Sequence, residues 1–213
     1  MTMRMTARVA GLFYLLTTAA GLFYVFTGPS TASAIAANEP FYRINITANL
    51  IAAGAYVVVT CLLYQLFKPV DKGLAMLGAF FSFIGIASSI VSFACDTAPL
   101  YLLNDPNAVS MWMHLSGAVQ NAGLIFFGVY CLTIGYLAYK SGYLPKTIGI
   151  LMQIAGVCYL IHSFAVLLTP DFGHRIELVT FGALVGEAAL TLWLLFGPIS
   201  PGPVLTAPNA LPT

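Results

Sequence analysis

Residues 44–67 read INITANLIAAGAYVVVTCLLYQLF, a run without a charged side chain that stops at Lys68-Pro69. A bilayer's hydrocarbon core is about 30 Å thick and takes roughly 20 predominantly apolar residues of α-helix to cross. A soluble helix of this length would carry a polar face; this one does not. Similar runs occupy residues 8–27, 73–95, 111–139, 148–169 and 176–196, and loops rich in Gly, Pro and Asp separate them. The run at 111–139 is long enough to tilt or protrude. The chain is therefore expected to be all-α, a polytopic bundle of six transmembrane helices filling residues 1–197.

Composition supports the same conclusion. Of 213 residues, 60% are hydrophobic and only 7% are charged, against about 25% charged in ordinary soluble domains. Fifteen formal charges (8 Lys and Arg, 7 Asp and Glu) are too few to wet a fold of this size, so lipid must cover most of it. There is no basic run or patch of the kind that binds nucleic acid. The segment 198–213 has no charge and carries Pro201, Pro203, Pro208 and Pro212. Such a composition cannot bury a core, and a disordered tail is expected there.

Basic residues set the orientation, because cytoplasmic loops are enriched in Lys and Arg. With the N-terminus inside, Arg4, Arg8, Lys68, Lys72, Lys140 and Lys146 fall on the cytoplasmic side, and Arg43 and Arg175 outside. The acids Glu39, Asp96, Asp105, Asp171 and Glu177 fall outside. Six spans then return the C-terminus to the cytoplasm, which makes the tail cytoplasmic. A competing reading takes Arg4, Arg8, the first apolar run and Ala32-Ser33-Ala34 as a cleavable signal peptide. The run is longer than the usual 7–15 residues of a signal core, so a retained span is the expectation.

In a membrane helix the informative residues are polar, since burying them in hydrocarbon is costly and they turn to the bundle interior or to water. Glu187 lies near the middle of the sixth span. Its carboxyl must be protonated, paired or wet. The fourth span adds His114, Gln120 and Asn121, with His114 and Asn121 two turns apart on one face. The second adds Asn45 and Asn49, and the fifth His162. Counted from the span ends, all fall between the outer surface and the midplane, while the inner halves hold little beyond Gln153 and Thr and Tyr side chains. An outward-facing polar pocket floored by Glu187 is expected, with Asn45, Asn49, His114, Gln120, Asn121 and His162 as candidate ligand-binding residues. Arg43 and Asp96 stand at its rim. Each residue alone is as well explained by an interhelical hydrogen bond.

Other patterns carry less. His114, His162 and Glu187 are a ligand set that zinc or iron accepts, but without HxxxH or HExxH spacing no metal is expected, nor any cofactor. Neither a GxSxG elbow nor a Walker or Rossmann glycine pattern occurs. Cys61, Cys95, Cys131 and Cys158 have no metal spacing and read as small buried hydrophobes. Aromatic residues near span ends form an interfacial belt. The pairs Asn49/Asn121, Tyr64/Tyr136 and Lys68/Lys140 are each 72 residues apart, and glycines recur seven apart at Gly78/Gly85 and Gly149/Gly156. These suggest a parallel repeat of the second and third spans in the fourth and fifth.

Three stretches carry a family likeness: residues 8–15, RVAGLFYL; residues 140–149, KSGYLPKTIG; and residues 185–188, VGEA, with Leu192-Trp193-Leu194 following. In this order and spacing they resemble the bacterial membrane family named domain of unknown function 4386, over roughly residues 6–197. The resemblance implies a helical membrane fold and a bacterial inner-membrane location, and it supplies no catalytic residue. The proline-rich tail departs from it.

Three functions fit these features. The first is a carrier or sensor that binds a small hydrophobic or amphipathic ligand, with membrane lipid as its surroundings. The second is an intramembrane enzyme using Glu187 and a histidine as acid and base on a lipid-like substrate. The third is a structural protein whose polar residues only specify packing, which predicts no cavity of ligand size, about 300 Å³ or more.

Overall fold

The computed structural model describes residues 2–29, 31–169 and 179–198. These form helices α1 (Met3–Thr27), α2 (Ala32–Ala37), α3 (Glu39–Phe67), α4 (Lys72–Thr97), α5 (Pro106–Ser141), α6 (Lys146–Leu168) and α7 (Val179–Phe196). A 3-10 turn, Ala98–Tyr101, follows α4. Five of the helices, α1, α3, α4, α5 and α6, are long and apolar enough to cross a membrane, and α7 is a shorter apolar helix. The fourth expected span becomes a helix of 36 residues. The stretch after the first span, read as a loop, contains α2, so Ala32-Ser33-Ala34 is helical. Asp171, Arg175, Glu177 and the segment 199–213 lie outside the described residues.

Helix ends follow the local sequence. Asn38, Asp71 and Asp105 each cap the following helix by accepting hydrogen bonds from first-turn amides: Phe41 N at 3.3 Å, Leu74 N at 2.9 Å, and Asn107 N and Ala108 N at 3.1 Å. Such caps satisfy donors that the helix cannot pair itself. At the far end of α5, Gly142 adopts φ 73°, the left-handed conformation that lets a helix stop. Tyr143 then folds back: its hydroxyl donates to Leu66 O at 2.6 Å and its ring stacks on Phe67. Burial pushes this phenol above its ordinary pKa, so it stays a donor and holds the α5–α6 connection on α3.

The long helices close into a ring. α1 packs on α3, α3 on α4, α4 on α5, α5 on α6, α6 on α7, and α7 returns to α1. The α5–α6 joint is made at backbone distance. A Cβ on Gly149 would meet Tyr139 N at 2.6 Å and Gly135 O at 2.7 Å, and one on Gly156 would meet Gly128 O at 2.6 Å. Small residues let helices approach this closely where lipid gives no hydrophobic drive for helices to associate. The closing joint has a different chemistry. Arg8 Nη1 and Nη2 donate to Leu194 O at 3.0 Å and Gly197 O at 2.9 Å, pairing carbonyls at the end of α7.

The glycines do not support equivalent roles in a repeat. Gly149 and Gly156 meet α5, the partner within their own hairpin, whereas the nearest groups to Gly78 and Gly85 are Thr133 and Phe127 on the next hairpin.

Apolar packing is concentrated at one end of the ring. Ala7, Leu63, Phe67, Leu137, Met152 and Leu194 belong to one buried cluster, close to the end that carries Arg4, Lys68, Lys72, Lys140 and Lys146. This is called the basic end below. A smaller cluster at the opposite end joins Ile35 of α2 to Tyr42, Ile46 and Val109. Leu12, Phe80, Ile161, Val185 and Leu192 point outward, as expected of a lipid-facing surface.

A bulky side chain at the α5–α6 joint should not fit. Gly149→Leu is expected to destabilise the fold by about 2–3 kcal/mol or more, the scale of overpacking a tight core. Gly54→Leu, at a position with nothing within 4 Å, should be neutral. Thermal unfolding of both purified variants checks this.

Candidate functional site

The five long helices and α7 contribute to a central cavity of about 430 Å³. Its walls include Thr17, Gly21 and Tyr24 of α1, Asn49, Ala53 and Tyr56 of α3, and Ile86 and Ser89 of α4. Gly117, Gln120, Leu124 and Phe127 of α5, Tyr159 of α6 and Glu187 of α7 complete it. The cavity occupies the half of the ring away from the basic end, where the sequence placed the polarity.

Glu187 lies at its deeper end, partly exposed to the cavity space. Cys131 Sγ stands 3.8 Å from Glu187 Oε1, and the Tyr14 and Tyr159 phenols also interact with the carboxyl group. Tyr14 Oη and Tyr56 Oη are 3.2 Å apart. The Tyr56 ring makes edge contacts with Tyr14, Phe127 and Tyr130, at centroid separations of 5.4, 5.0 and 6.0 Å. One carboxyl group thus sits in a ring of phenols and a thiol, all contributed by other helices.

The opposite end of the cavity is tied by a second carboxyl group. Tyr24, a wall residue, donates to Asp96 Oδ2 at 2.8 Å, and Tyr42 donates to the Asp96 carbonyl at 2.7 Å. Asp96 is only 6% exposed, so it is a buried tie between α1, α3 and α4 rather than a rim residue. Alongside, Ser92 Oγ and Ser116 Oγ lie 2.7 Å apart. Arg43, the other expected rim residue, pairs with Glu39 at 2.7 Å on the surface.

The candidate residues divide into three groups. Asn49, Gln120 and Glu187 share the central cavity. His114, Asn121 and His162 line a neighbouring groove of about 670 Å³ between α5 and α6. The groove and the cavity have Gly117, Gln120 and Leu124 in common, so the expected single pocket is two adjoining spaces that share part of the α5 wall. His114 is exposed, with Nδ1 2.8 Å from Ser110 O. Asn121 Nδ2 donates to Ser163 O at 3.1 Å and joins α5 to α6. Asn45 belongs to neither space. Its Nδ2 donates to Tyr24 O and Thr27 Oγ1, both at 3.0 Å, and fastens α3 to the end of α1.

Asn49 differs from Asn45 in one respect that matters. It is 5% exposed and lines the cavity, yet its Nδ2 has no hydrogen-bond partner among the described residues. Gln120 accepts from Ser89 Oγ at 3.2 Å across the cavity wall.

Sequence reasoning missed Tyr14, Tyr24, Tyr56, Cys131 and Tyr159. Depth was the available signal. Tyrosines at membrane interfaces are explained by the belt, but Tyr14, Tyr56, Tyr130 and Tyr159 all lie well inside their helices. The sequence Leu-Phe-Tyr occurs at residues 12–14 and again at 22–24; in both, the leucine faces outward while Tyr14 and Tyr24 turn in. Among the described residues no group of three or more His, Cys, Asp or Glu forms a metal-holding cluster.

A ring of long apolar helices with a polar-floored cavity defines a multi-pass helical membrane protein. The chain belongs to the family described as Domain of unknown function (DUF4386), whose model matches residues 9–197. An uncharacterized protein of Archaeoglobus fulgidus is 33% identical over 139 residues, covering 65% of this chain and 74% of that one. No solved structure matches.

The two asparagines make a paired test. Asn45→Leu loses interhelical hydrogen bonds and should cost about 1–2 kcal/mol. Asn49→Leu removes a buried donor that has no partner, and is expected to leave unfolding unchanged or shifted to higher temperature. Melting curves in the same detergent distinguish the two.

Proposed function

We propose that this chain is an integral protein of a bacterial cytoplasmic membrane, with six spans and both ends in the cytoplasm, that binds a small amphipathic ligand in its central cavity. The observation that carries the reading is a cavity of about 430 Å³ whose lining includes Asn49, a residue with a buried Nδ2 that has no partner among the described residues. Small-molecule sites commonly measure about 300–1,000 Å³, with apolar walls and a few convergent polar groups. A stability-optimised bundle would fill such a space or pair such a donor. The size also argues against a purely structural role. The enzyme reading is weaker, because His114 and His162 line the groove and not the cavity of Glu187.

Six spans suit the helix lengths. α7 has 18 residues and extends about 27 Å at 1.5 Å per residue, close to the hydrocarbon thickness. The basic residues gathered at one end favour the cytoplasmic assignment of that end. The tail 198–213 is taken as a disordered cytoplasmic extension. Surrounding lipids are the immediate partners.

Two measurements test this. In intact cells, a membrane-impermeant maleimide should label Asn104→Cys, and label Lys72→Cys only after permeabilisation; the reverse would overturn the orientation. Native mass spectrometry of the purified chain should find a bound small molecule that is lost in Gly21→Phe. Gly21 lines the cavity with nothing within 4 Å of an added Cβ, so this variant fills the site without a clash. An empty wild type, or a ligand retained by Gly21→Phe, would overturn the cavity assignment.

A further inference from the structure

The central cavity contains one ionisable carboxylic acid and no described lining residue of opposite charge. The groups that interact with Glu187, two phenols and a thiol, are neutral donors. Described lysines and arginines stand towards the helix ends, and Arg8 is committed to the carbonyls of Leu194 and Gly197. A buried carboxylate without a countercharge is costly in low dielectric. Around it the walls supply the rings of Tyr56, Phe127 and Tyr159, and aromatic faces attract cations, the more so when desolvated. Carboxylate and aromatic rings gathered in a mostly apolar space form a receptor for an organic cation.

The same space adjoins a second one. Gly117, Gln120 and Leu124 line both the cavity and the groove between α5 and α6. A Cβ at Gly117 would find nothing within 4 Å. Beyond it the groove offers Met113, Ala118, Val166 and Leu167 as apolar wall.

We infer that the ligand is a cationic amphiphile, with an ammonium group held at Glu187 among the rings and an apolar chain leading past Gly117 into the α5–α6 groove. The assignment rests on the ligand-cavity reading and adds to it the ligand's charge and its path. A neutral or acidic amphiphile of the same length leaves the carboxylate uncompensated and binds less well.

The test uses the full chain in phosphatidylcholine nanodiscs and tritiated octylammonium, read by scintillation proximity. Octylammonium should bind saturably, and octanol and octanoate should compete at least roughly tenfold less well, the scale of one charge-assisted contact. Glu187→Gln should lose about that factor for octylammonium while leaving octanol unchanged. Gly117→Phe, at an open position, should weaken octylammonium at unaltered melting temperature. Octanol competing as well as octylammonium, or wild-type affinity in Glu187→Gln, overturns the cation assignment and leaves the cavity reading standing. If the glutamine variant does not fold, the competition series on the unmodified chain decides by itself. No saturable binding of octylammonium overturns the cation assignment as well; joined to an empty native mass spectrum, it removes the cavity reading with it.

Discussion

Backbone-to-backbone approach of α5 and α6 at Gly128–Gly156 and Gly135–Gly149 is the constraint on which the ring depends. Lipid gives apolar helices little reason to prefer one another over the bilayer, so close packing must supply the preference. Here the paired glycines, seven residues apart on each helix, bring the two backbones into contact and set their rotation. With α5 turned this way, Cys131 reaches Glu187, Gln120 reaches Ser89, and Asn121 reaches Ser163. Glycines bring other joints close as well: an added Cβ on Gly186 of α7 would meet the Leu151 carbonyl of α6, and one on Gly11 of α1 would meet the Leu195 amide of α7 at 3.0 Å.

The sequence made the spans legible because hydropathy and length are one-dimensional properties, and they survive in five long helices and a shorter one. It also located polarity by depth, and the cavity lies in the expected half. Rotation about each helix axis was not legible. Asn45 and Asn49 are one turn apart and share a face, yet Asn45 ties α3 to α1 while Asn49 opens on the cavity. His114 and His162 line the neighbouring groove and not the cavity of Glu187. The mid-helix tyrosines carried a signal that composition hides, because an interfacial belt explains most membrane tyrosines so readily.

The two carboxyl groups illustrate how one residue type serves two purposes in hydrocarbon. Asp96 is enclosed between helices with the Tyr24 phenol as donor, an arrangement that fixes α1 against α4. Glu187 meets comparable donors but also lines the cavity. Fully satisfied buried polar groups specify a structure, whereas an incompletely satisfied one calls for a further explanation. The cavity's two ends differ in this respect, and the difference gives it a direction.

The bonds from Arg8 to Leu194 and Gly197 join positions 186 and 189 residues apart in the chain. During synthesis α1 leaves the ribosome long before α7 exists, so the ring remains a groove, open along one side to lipid, until the last helix arrives. Glu187 arrives on that same helix. The interior therefore acquires its wall and its carboxyl group in a single step of insertion, and no nascent intermediate holds the acid in an unfinished ring.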